Sequence, residues 1–427
     1  MKIKVVEKRY ADVMALPVPK HCKPRRIDWF FRTLIKVLSV VNLRKNHVKY
    51  REIGMERLAK GEPCLILMNH SGFVDMEIAG NYLYPRAFST VCTHDAYVGM
   101  AWLMRTIGCI PTQKFVSDVT LIRDMNYALK ELKTTVLMYP EACYSFDGRA
   151  NALPDSIGGL LKLLKVPVVT MITHGAYTRE PLYNMLRHRK VDICTDVTYL
   201  LSPEEIRRMT QQELNERVQE AFSFDSFRWQ RENEIRVTEA FRAEGLERVL
   251  YKCPHCHKER TMKSAGSVVG CAACGKMYEL TELGALEAVD GEGAFDHVPD
   301  WYSWEREEVK KELAANTYRL DCDVEIYMMV DFKAIYRVGE GRLRHDAEGF
   351  LLEGADGELS YSQPPLASYT VNSDFYWYER GDVISIGNKR HLFFCLPKDQ
   401  SIPVSKVKMA AEELYKLRRE EIRHATE

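Results

Sequence analysis

The sequence predicts a layered α/β domain, followed by a small metal-binding module and a β-rich domain with a C-terminal helix. Three patterns predict this order. Up to about residue 200, short apolar runs alternate with helical stretches, as in proteins that pack helices on a sheet. Two Cys-x-x-Cys pairs then fall within residues 251–280. Beyond residue 320, short β-prone runs are separated by Gly, Asp and Asn turns, and a long helical pattern closes the chain.

Five short apolar runs in the first part are candidate strands: 64–68, 88–92, 136–139, 166–172 and 191–197. The stretch that follows is dense in Glu, Arg and Gln. It predicts one or two solvated helices, with Ser202 as N-cap and Pro203 as the first helical residue. The predicted parts are a basic amphipathic segment over 1–45, the α/β domain over 46–200, a helical linker over 201–250, the cysteine module over 251–282, a second linker over 283–317, and the β-rich accessory domain with its C-terminal helix over 318–427.

Charge and composition restrict the classes of partner and compartment. Lys+Arg and Asp+Glu number 60 each, so the chain as a whole has no electrostatic attraction for nucleic acid. The first ten residues carry no secretory pattern, and no apolar run reaches the ~18 residues needed to span a bilayer. The twelve cysteines are then expected to be thiols and metal ligands in a reducing compartment. We therefore expect a cytoplasmic protein.

A polar loop between a strand and a helix carries the strongest chemical signal. Strand 64–68 is followed at once by Asn69 and His70, and a helix is expected to begin near Asp75. Polar side chains converge where strands end in an open α/β sheet. Gly72 lets the loop return Asp75 to the His70 ring, where a carboxylate on one nitrogen leaves the other nitrogen free to take a proton from a hydroxyl. The alternative for this pair alone is a structural histidine beside a helix-capping aspartate.

Three further blocks make this region resemble the glycerolipid acyltransferase family, typified by 1-acylglycerol-3-phosphate acyltransferase. That family carries an Asn-His-x4-Asp block, a Gly-x-Ile block with a basic residue, an aromatic-Pro-Glu-Gly block with a Ser-x-x-Gly-like tail, and a Val-Pro-apolar strand. The chain matches these blocks in order with Asn69, His70 and Asp75; Gly108, Ile110 and Lys114; Tyr139, Pro140, Glu141, Ser145 and Gly148; and Val166, Pro167, Val168 and Val169. The resemblance covers roughly residues 45–200 and implies an acyltransferase-type α/β fold over 46–200.

The resemblance also implies a reaction. An acyl thioester of coenzyme A or acyl carrier protein is attacked by a hydroxyl of a glycerolipid such as 1-acylglycerol-3-phosphate, in phospholipid synthesis. His70 is then the general base and Asp75 its orienting partner, with Asn69 and Glu141 at the acceptor. Lys114 offers a point charge to an acceptor phosphate. The alternatives are that Lys114 is an ordinary surface lysine and that Glu141 only orders its loop.

The third block departs from the family pattern. The family's Gly-Thr-Arg is here Ala142, Cys143 and Tyr144, so a phosphate-binding arginine is missing. Either Arg149, just after Gly148, compensates, or the acceptor has a less acidic head group or a different hydroxyl. Tyr144, Gly148 and Arg149 are therefore predicted substrate-binding residues. The departure also leaves open a second function, that of a non-catalytic lipid-binding or scaffold protein that retains the fold.

A basic helix with an apolar face precedes the first candidate strand. Residues 21–50 contain eight Lys or Arg against the single acid Asp28. Such a helix suits an anionic bilayer surface, and we expect peripheral binding at the inner face of a membrane. The alternative is that the helix only packs on the α/β domain. Its apolar residues are Trp29, Phe30, Phe31, Leu34, Ile35, Val37, Leu38 and Val41.

Four cysteines have the spacing of a zinc ribbon. Cys253 and Cys256 form one Cys-x-x-Cys pair, and Cys271 and Cys274 form the other. Each pair can present two thiolates to one tetrahedral ion, and four protein ligands leave no open position for chemistry. We predict a structural Zn²⁺. A docking role for this module, toward a partner such as acyl carrier protein, is left open.

The tail is similar to pleckstrin-homology or GRAM-like domains in its order of about seven short strands followed by a long amphipathic helix over 404–424. Trp377, Tyr378, Arg380, Lys389 and Arg390 are predicted to form a surface for a lipid head group or a peptide. The alternative for the aromatic residues is that they belong to the core.

Overall fold

Three β-sheets and the helices packed on them organise the protein. The computed structural model describes residues 3–116 and 118–426. The sheets have seven, four and eight strands and follow one another along the chain, except that the first strand joins the last sheet. The elements before the seven-stranded sheet are β1 (Val5–Glu7), α1 (Tyr10–Met14) and α2 (Trp29–Lys45).

The seven-stranded sheet has the strand order β2-β8-β7-β3-β6-β4-β5. Its strands are β2 (Lys49–Ile53), β3 (Leu65–Met68), β4 (Phe88–Thr93), β5 (Cys109–Thr112), β6 (Thr135–Met138), β7 (Val168–His174) and β8 (Cys194–Leu201). Only the β7–β8 pairing is antiparallel. The five predicted strands are present, and β2 and β5 were not predicted. Both lie at edges of the sheet, where β2 is mostly polar and β5 contains Pro111, so neither has the apolar run of a central strand.

Helices cover both faces of this sheet: α3 (Val74–Leu83), α4 (Ala101–Thr106), α5 (Val119–Lys130), α6 (Ile157–Leu164) and α7 (Ala176–Arg179). The central strand β3 is buried throughout, and its side chains alternate between two cores. Leu65 and Leu67 pack with residues of α5 and α6, whereas Ile66 and Met68 pack with residues of α2 and α3. The loop after β3 is therefore anchored on both sides.

Helix α2 packs on α3 with one face and exposes the other. Ile35 contacts α3 so closely that a Cβ on Gly80 would lie 2.7 Å from its Cγ2. The opposite face exposes a stripe of large apolar side chains: Trp29, Phe30, Leu34, Val37, Leu38 and Val41. Among the described residues, no helix combines the length and the apolar character needed to cross a bilayer.

The predicted linker after the first sheet contains α8 (Pro203–Arg208), α9 (Gln211–Ala221) and α10 (Ser226–Glu232). Ser202 caps α8 as predicted, with its side chain accepting the backbone N–H of Glu205 at 3.2 Å. The prediction of one or two solvated helices is wrong, because there are three and each buries an apolar face. Leu214 and Val218 join the core of the sheet, and residues 233–250 continue as a mostly irregular segment whose second half, 242–250, is largely buried.

The second sheet is a small antiparallel one with the order β12-β11-β10-β9. Its strands are β9 (Met262–Ala265), β10 (Val268–Cys271), β11 (Met277–Leu280) and β12 (Leu286–Ala288). The following segment, predicted as a linker, contains the helix α11 (Val298–Ala314). Trp301 of α11 is fully buried against this sheet, with its ring 5.1 Å from that of Tyr278. The segment is thus part of the core instead of a connection between cores.

The third sheet has the order β16-β15-β14-β13-β19-β18-β17, with β1 added in parallel to β14. Its strands are β13 (Leu320–Met329), β14 (Ile335–Asp346), β15 (Gly349–Gly354), β16 (Leu359–Gln363), β17 (Asn372–Asp374), β18 (Val383–Gly387) and β19 (Leu392–Pro397), and α12 (Val404–Thr426) follows. Seven strands and a closing helix agree with the predicted order. The predicted head-group surface is wrong for Trp377, which is buried and stacks on Phe394 at 4.5 Å.

Candidate active site

Four loops meet at one edge of the seven-stranded sheet. Because β3, β6, β4 and β5 run parallel, their carboxyl ends lie at the same edge. His70 follows β3, Asp95 follows β4, Lys114 follows β5 and Tyr139 follows β6. The topology therefore brings three of the four sequence blocks to one place.

His70 and Asp75 are in direct contact there. Nδ1 of His70 lies 3.0 Å from Oδ2 of Asp75. The same oxygen accepts the backbone N–H groups of Ser71 at 2.7 Å and of Gly72 at 3.1 Å. Asp75 is fully buried, whereas the His70 side chain is 21% exposed. The carboxylate thus fixes one side of the imidazole ring, and the other side faces accessible space.

Gly72 is required by the close approach of Glu180 to this loop. A Cβ on Gly72 would lie 2.3 Å from Oε1 of Glu180. That oxygen also accepts the backbone N–H of Val74 at 3.2 Å, and Oε2 pairs with Arg179 at 2.7 Å. Glu180 therefore supports the loop from behind. Sequence reasoning missed it because it lies outside the four blocks and no local pattern relates it to His70.

Comparison with known proteins finds a family model that matches this region. Residues 49–174 match the family model described as Acyltransferase. These residues form an acyltransferase-type domain. The structure of the 1-acyl-sn-glycerophosphate (LPA) acyltransferase PlsC from Thermotoga maritima is similar over 45% of this chain and 77% of its own. The identity is 15% and the TM-score is 0.35. No curated protein matches the chain significantly.

Two tyrosines of the third block pack against the His70 ring of the acyltransferase domain. The rings of Tyr139 and His70 stack with their centroids 4.0 Å apart, and the tilted ring of Tyr144 lies 4.4 Å away. Burial raises the pKa of both phenols well above the usual value, so both hydroxyls stay protonated. The predicted Tyr144 is therefore at the histidine, where the family has an arginine.

Glu141 is buried behind the His70 loop. Its Oε1 accepts the backbone N–H of His70 at 3.3 Å, and its Oε2 accepts the backbone and side-chain N–H groups of Asn151 at 2.8 and 3.1 Å. Burial raises the pKa of Glu141 to about 8, although these donors oppose that shift. Since both oxygens are used within the protein, the loop-ordering alternative describes Glu141 better than contact with an acceptor.

Asn69 is also used inside the fold. Its side-chain amide donates to the carbonyl of Thr173 at 3.0 Å and accepts the N–H of the same residue at 2.8 Å. It ties the end of β3 to the end of β7. These two bonds use one of the two amide N–H groups and one of the two lone pairs of Asn69, and the contact of Asn69 with the acceptor stays a prediction.

Arg149 is paired within the protein. Its guanidinium contacts Asp225 at 2.9 Å and Asp300 at 2.6 Å. Gly148 has φ +88°, and a Cβ there would lie 2.9 Å from the Tyr177 ring, so this glycine is needed for packing. Gly148 is thus packed and Arg149 is paired with carboxylates of the following segments, and substrate binding by these two residues stays a prediction.

Lys114 lies at the sheet edge and meets the third sheet. Its Nζ donates to Oδ1 of Asn372 on β17 at 3.2 Å. Neighbouring contacts are similar: Gln113 donates to the carbonyl of Asn388 at 2.7 Å, and Ser368 donates to that of Phe115 at 2.9 Å. Lys114 is therefore held in a contact between two sheets and is not an ordinary surface lysine. The β-rich domain forms one wall beside this lysine.

The four predicted metal-ligating cysteines form one cluster. The Sγ atoms of Cys253 and Cys274 are 3.6 Å apart, as are those of Cys256 and Cys271. All four sulfur atoms lie within 4.8 Å of one another. Tetrahedral Zn²⁺ with Zn–S bonds of ~2.3 Å separates its sulfurs by about 3.8 Å, so the cluster fits this ion. The cysteines can hold a metal ion, and four thiolates would complete its coordination without a position for substrate.

Proposed function

We propose that the acyltransferase domain transfers a fatty acyl group from an acyl thioester to a hydroxyl of a glycerolipid, with coenzyme A or acyl carrier protein as the carrier. The observation that supports this most is the His70–Asp75 contact within the segment that matches the family. The buried carboxylate and the partly exposed ring give the pair one open side.

The proposed step needs no nucleophile from the protein. Nε2 of His70 takes the proton of the acceptor hydroxyl while the hydroxyl oxygen forms a bond to the thioester carbon. The tetrahedral intermediate then breaks its C–S bond, and the imidazolium returns the proton to the leaving thiolate. Asp75 orients the ring and stabilises the imidazolium between these two transfers.

We also propose that the protein binds an anionic membrane through α2. Trp29, Phe30, Leu38 and their neighbours expose an apolar stripe although soluble surfaces rarely carry such contiguous patches. The segment around this helix is strongly basic. An apolar stripe beside basic side chains suits the interface of an anionic bilayer, where long-chain substrates also reside.

Acyl transfer with a catalytic control tests the reaction. The full-length protein is incubated with oleoyl-CoA or oleoyl acyl carrier protein and a panel of lysolipids in neutral detergent micelles, and both thiol release and acylated product are measured. We expect His70→Ala to lower the rate by at least ~10²-fold. His47→Ala is the matched control, because His47 contacts Asp192 at 2.9 Å on the exposed surface.

Equal thiol release by wild type and His70→Ala over the whole panel contradicts the enzyme function. That outcome favours the alternative of a lipid-binding or scaffold protein that retains the fold. A rate lost in His47→Ala as strongly as in His70→Ala contradicts the assignment of the base. Docking of acyl carrier protein is favoured if it, and not coenzyme A, supports the reaction.

A further inference from the structure

We propose that Asp374, on the β-rich domain, is a specificity-determining residue of the His70 site, and that it selects an acceptor whose head group is an uncharged polyol. This inference rests on the proposed acyltransferase function and narrows its substrate class. It depends on the wall that the third sheet forms beside Lys114. That wall was not foreseen, because its residues lie more than 200 positions further along the chain.

Strand β17 presents two polar side chains to Lys114. Side chains alternate along a strand, so Asn372 and Asp374 lie on the same face and Ser373 on the other. Asn372 accepts the hydrogen bond from the Lys114 Nζ at 3.2 Å. Burial raises the pKa of the Asp374 carboxyl to about 6, and the positive charge of Lys114 opposes that shift. Both residues of β17 therefore face the cation that a phosphate would need.

Asp374 has an unused acceptor in a buried position. Its Oδ1 is inaccessible to solvent and has no hydrogen-bond partner among the described residues. A buried polar atom without a partner is costly, and a ligand hydroxyl that donates to it removes this cost. A phosphomonoester is largely dianionic at neutral pH, so it offers few protons to donate and adds like charge instead. The unpartnered oxygen thus favours a hydroxyl-bearing group.

A second carboxylate faces this wall from the seven-stranded sheet. Asp95, at the end of β4, accepts the Tyr378 hydroxyl at 3.1 Å, and its charge raises the pKa of Asp374. Burial raises the pKa of Tyr144 most, and the charges of Asp75, Asp374, Glu180 and Asp95 add to that shift in decreasing order. Phe375, next to Asp374, stacks on Phe146 with ring centroids 4.3 Å apart, and the ring of Tyr144, two residues before Phe146, lies 4.4 Å from that of His70. The end of β17 is therefore packed beside the loop that contacts the base.

The cations expected for a phosphate are already engaged. Arg149 is paired with Asp225 and Asp300, and the family's arginine is Tyr144 in this chain. Lys114 remains, but it meets Asn372 and the field of Asp374. The two carboxylates, Asp374 and Asp95, and the single cation, Lys114, give this part of the site a net negative charge. A phosphomonoester placed there would be repelled, whereas a neutral polyol would not.

Two acceptors that differ only in the phosphate test the inference. Full-length wild type is assayed with 1-oleoylglycerol and with 1-oleoylglycerol-3-phosphate, each at a fixed mole fraction in neutral detergent micelles, with the same acyl thioester. We expect kcat/KM to be at least tenfold higher for 1-oleoylglycerol. Asp374→Asn should raise the KM for 1-oleoylglycerol severalfold, leave kcat nearly unchanged and reduce the preference. Asp356→Asn, at an exposed position of the same domain, should change neither value.

A tenfold preference for 1-oleoylglycerol-3-phosphate overturns the inference. So does an Asp374→Asn protein that is impaired equally with both acceptors through kcat, because a merely structural contact with Lys114 gives that result. If Asp374→Asn fails to fold, the wild-type ratio alone decides. Failure of the proposed function looks different, since then neither acceptor is acylated or His70→Ala is as active as wild type.

Discussion

Oδ2 of Asp75 lies 3.0 Å from Nδ1 of His70 and is also the oxygen that accepts the backbone N–H groups of Ser71 and Gly72. One buried atom therefore holds both the imidazole and the loop that carries it. The other oxygen, Oδ1, is buried without a hydrogen-bond partner among the described residues. Charge and geometry can be separated at this position by an isosteric amide.

Asp75→Asn should keep the loop and lose the reaction. An asparagine oxygen can still accept the N–H groups of Ser71 and Gly72, but it cannot stabilise an imidazolium on His70. We expect kcat to fall roughly 10²–10⁴-fold with little change in KM, measured as thiol release from oleoyl-CoA. Asp192→Asn, which changes the exposed contact with His47, is the control. An unchanged kcat in Asp75→Asn contradicts the role of the carboxylate.

Ala142 stands where the family has glycine and adopts φ +55°, which is unfavourable for a side chain with a Cβ. Ala142→Gly relieves that strain but gives the unfolded chain more freedom, so we expect stability to stay the same or rise by up to ~1 kcal/mol. Ala411→Gly, inside α12, should instead cost about 1 kcal/mol or more. Urea unfolding of both variants measures the difference. A loss at Ala142 as large as that at Ala411 contradicts the strain.

The parts of the fold that could be predicted are those whose strands are continuous apolar runs or are separated by regular turn residues. Strand β3 and its neighbours are continuous apolar runs, and the turn residues of the third sheet separate its strands. The edge strands β2 and β5 escaped because an edge needs no apolar run. The sequence predicts a linker where helix α11 lies, because its charged residues outnumber the apolar ones on the face, centred on Trp301, that packs into the core.

The site was predictable where it is local in sequence. His70 and Asp75 are five positions apart, and the strand–loop–helix order fixes their contact. The pairing of Arg149 could not be predicted, because its partners, Asp225 and Asp300, come from segments whose sequence is typical of linkers. Asp374 could not be found at all, since its place beside Lys114 depends on how two sheets pack and not on any spacing.

The cysteine cluster should contain one zinc ion per chain. Loss of this zinc should change the surroundings of Trp301. The Trp301 ring lies 5.1 Å from that of Tyr278 on β11, and its Nε1 donates to the carbonyl of Lys252, next to Cys253. We expect a strong chelator to remove the metal, to lower the midpoint of thermal unfolding by several degrees and to change tryptophan fluorescence. Cys256→Ser should do the same, whereas the exposed Cys22→Ser should not. Elemental analysis that finds no zinc in unchelated protein contradicts the site.

Asp225 should support stability above about pH 4 and lose that contribution in acid. Burial opposes its ionisation, but hydrogen bonds from His297, the backbone N–H of Arg228 and Arg149 hold its pKa well below the usual value. A folded pKa below the unfolded one means that stability is present above the unfolded pKa and is lost as pH falls toward the folded pKa.

Asp225→Asn should therefore lower the free energy of unfolding at pH 7 by roughly 2–4 kcal/mol and flatten its decline between pH 5 and pH 2. Asp300→Asn is the control, because it removes the other, 52% exposed partner of Arg149 and should cost much less. Denaturant unfolding across this pH range measures both. Parallel acid profiles for wild type and Asp225→Asn contradict the assignment.

The exposed stripe of α2 should decide whether the protein binds vesicles. Val37 and Val41 are 61% and 75% exposed, so Glu at both positions should leave the fold intact. Burying each valine in a bilayer contributes ~1.5 kcal/mol, so we expect the double variant to bind vesicles of phosphatidylcholine and phosphatidylglycerol about 100-fold more weakly. Val289→Glu, at a 50% exposed position outside the stripe, should bind like wild type. Equal sedimentation of wild type, the double variant and Val289→Glu with vesicles contradicts this membrane surface. If salt does not weaken the binding of wild type, the contribution of the basic residues is contradicted.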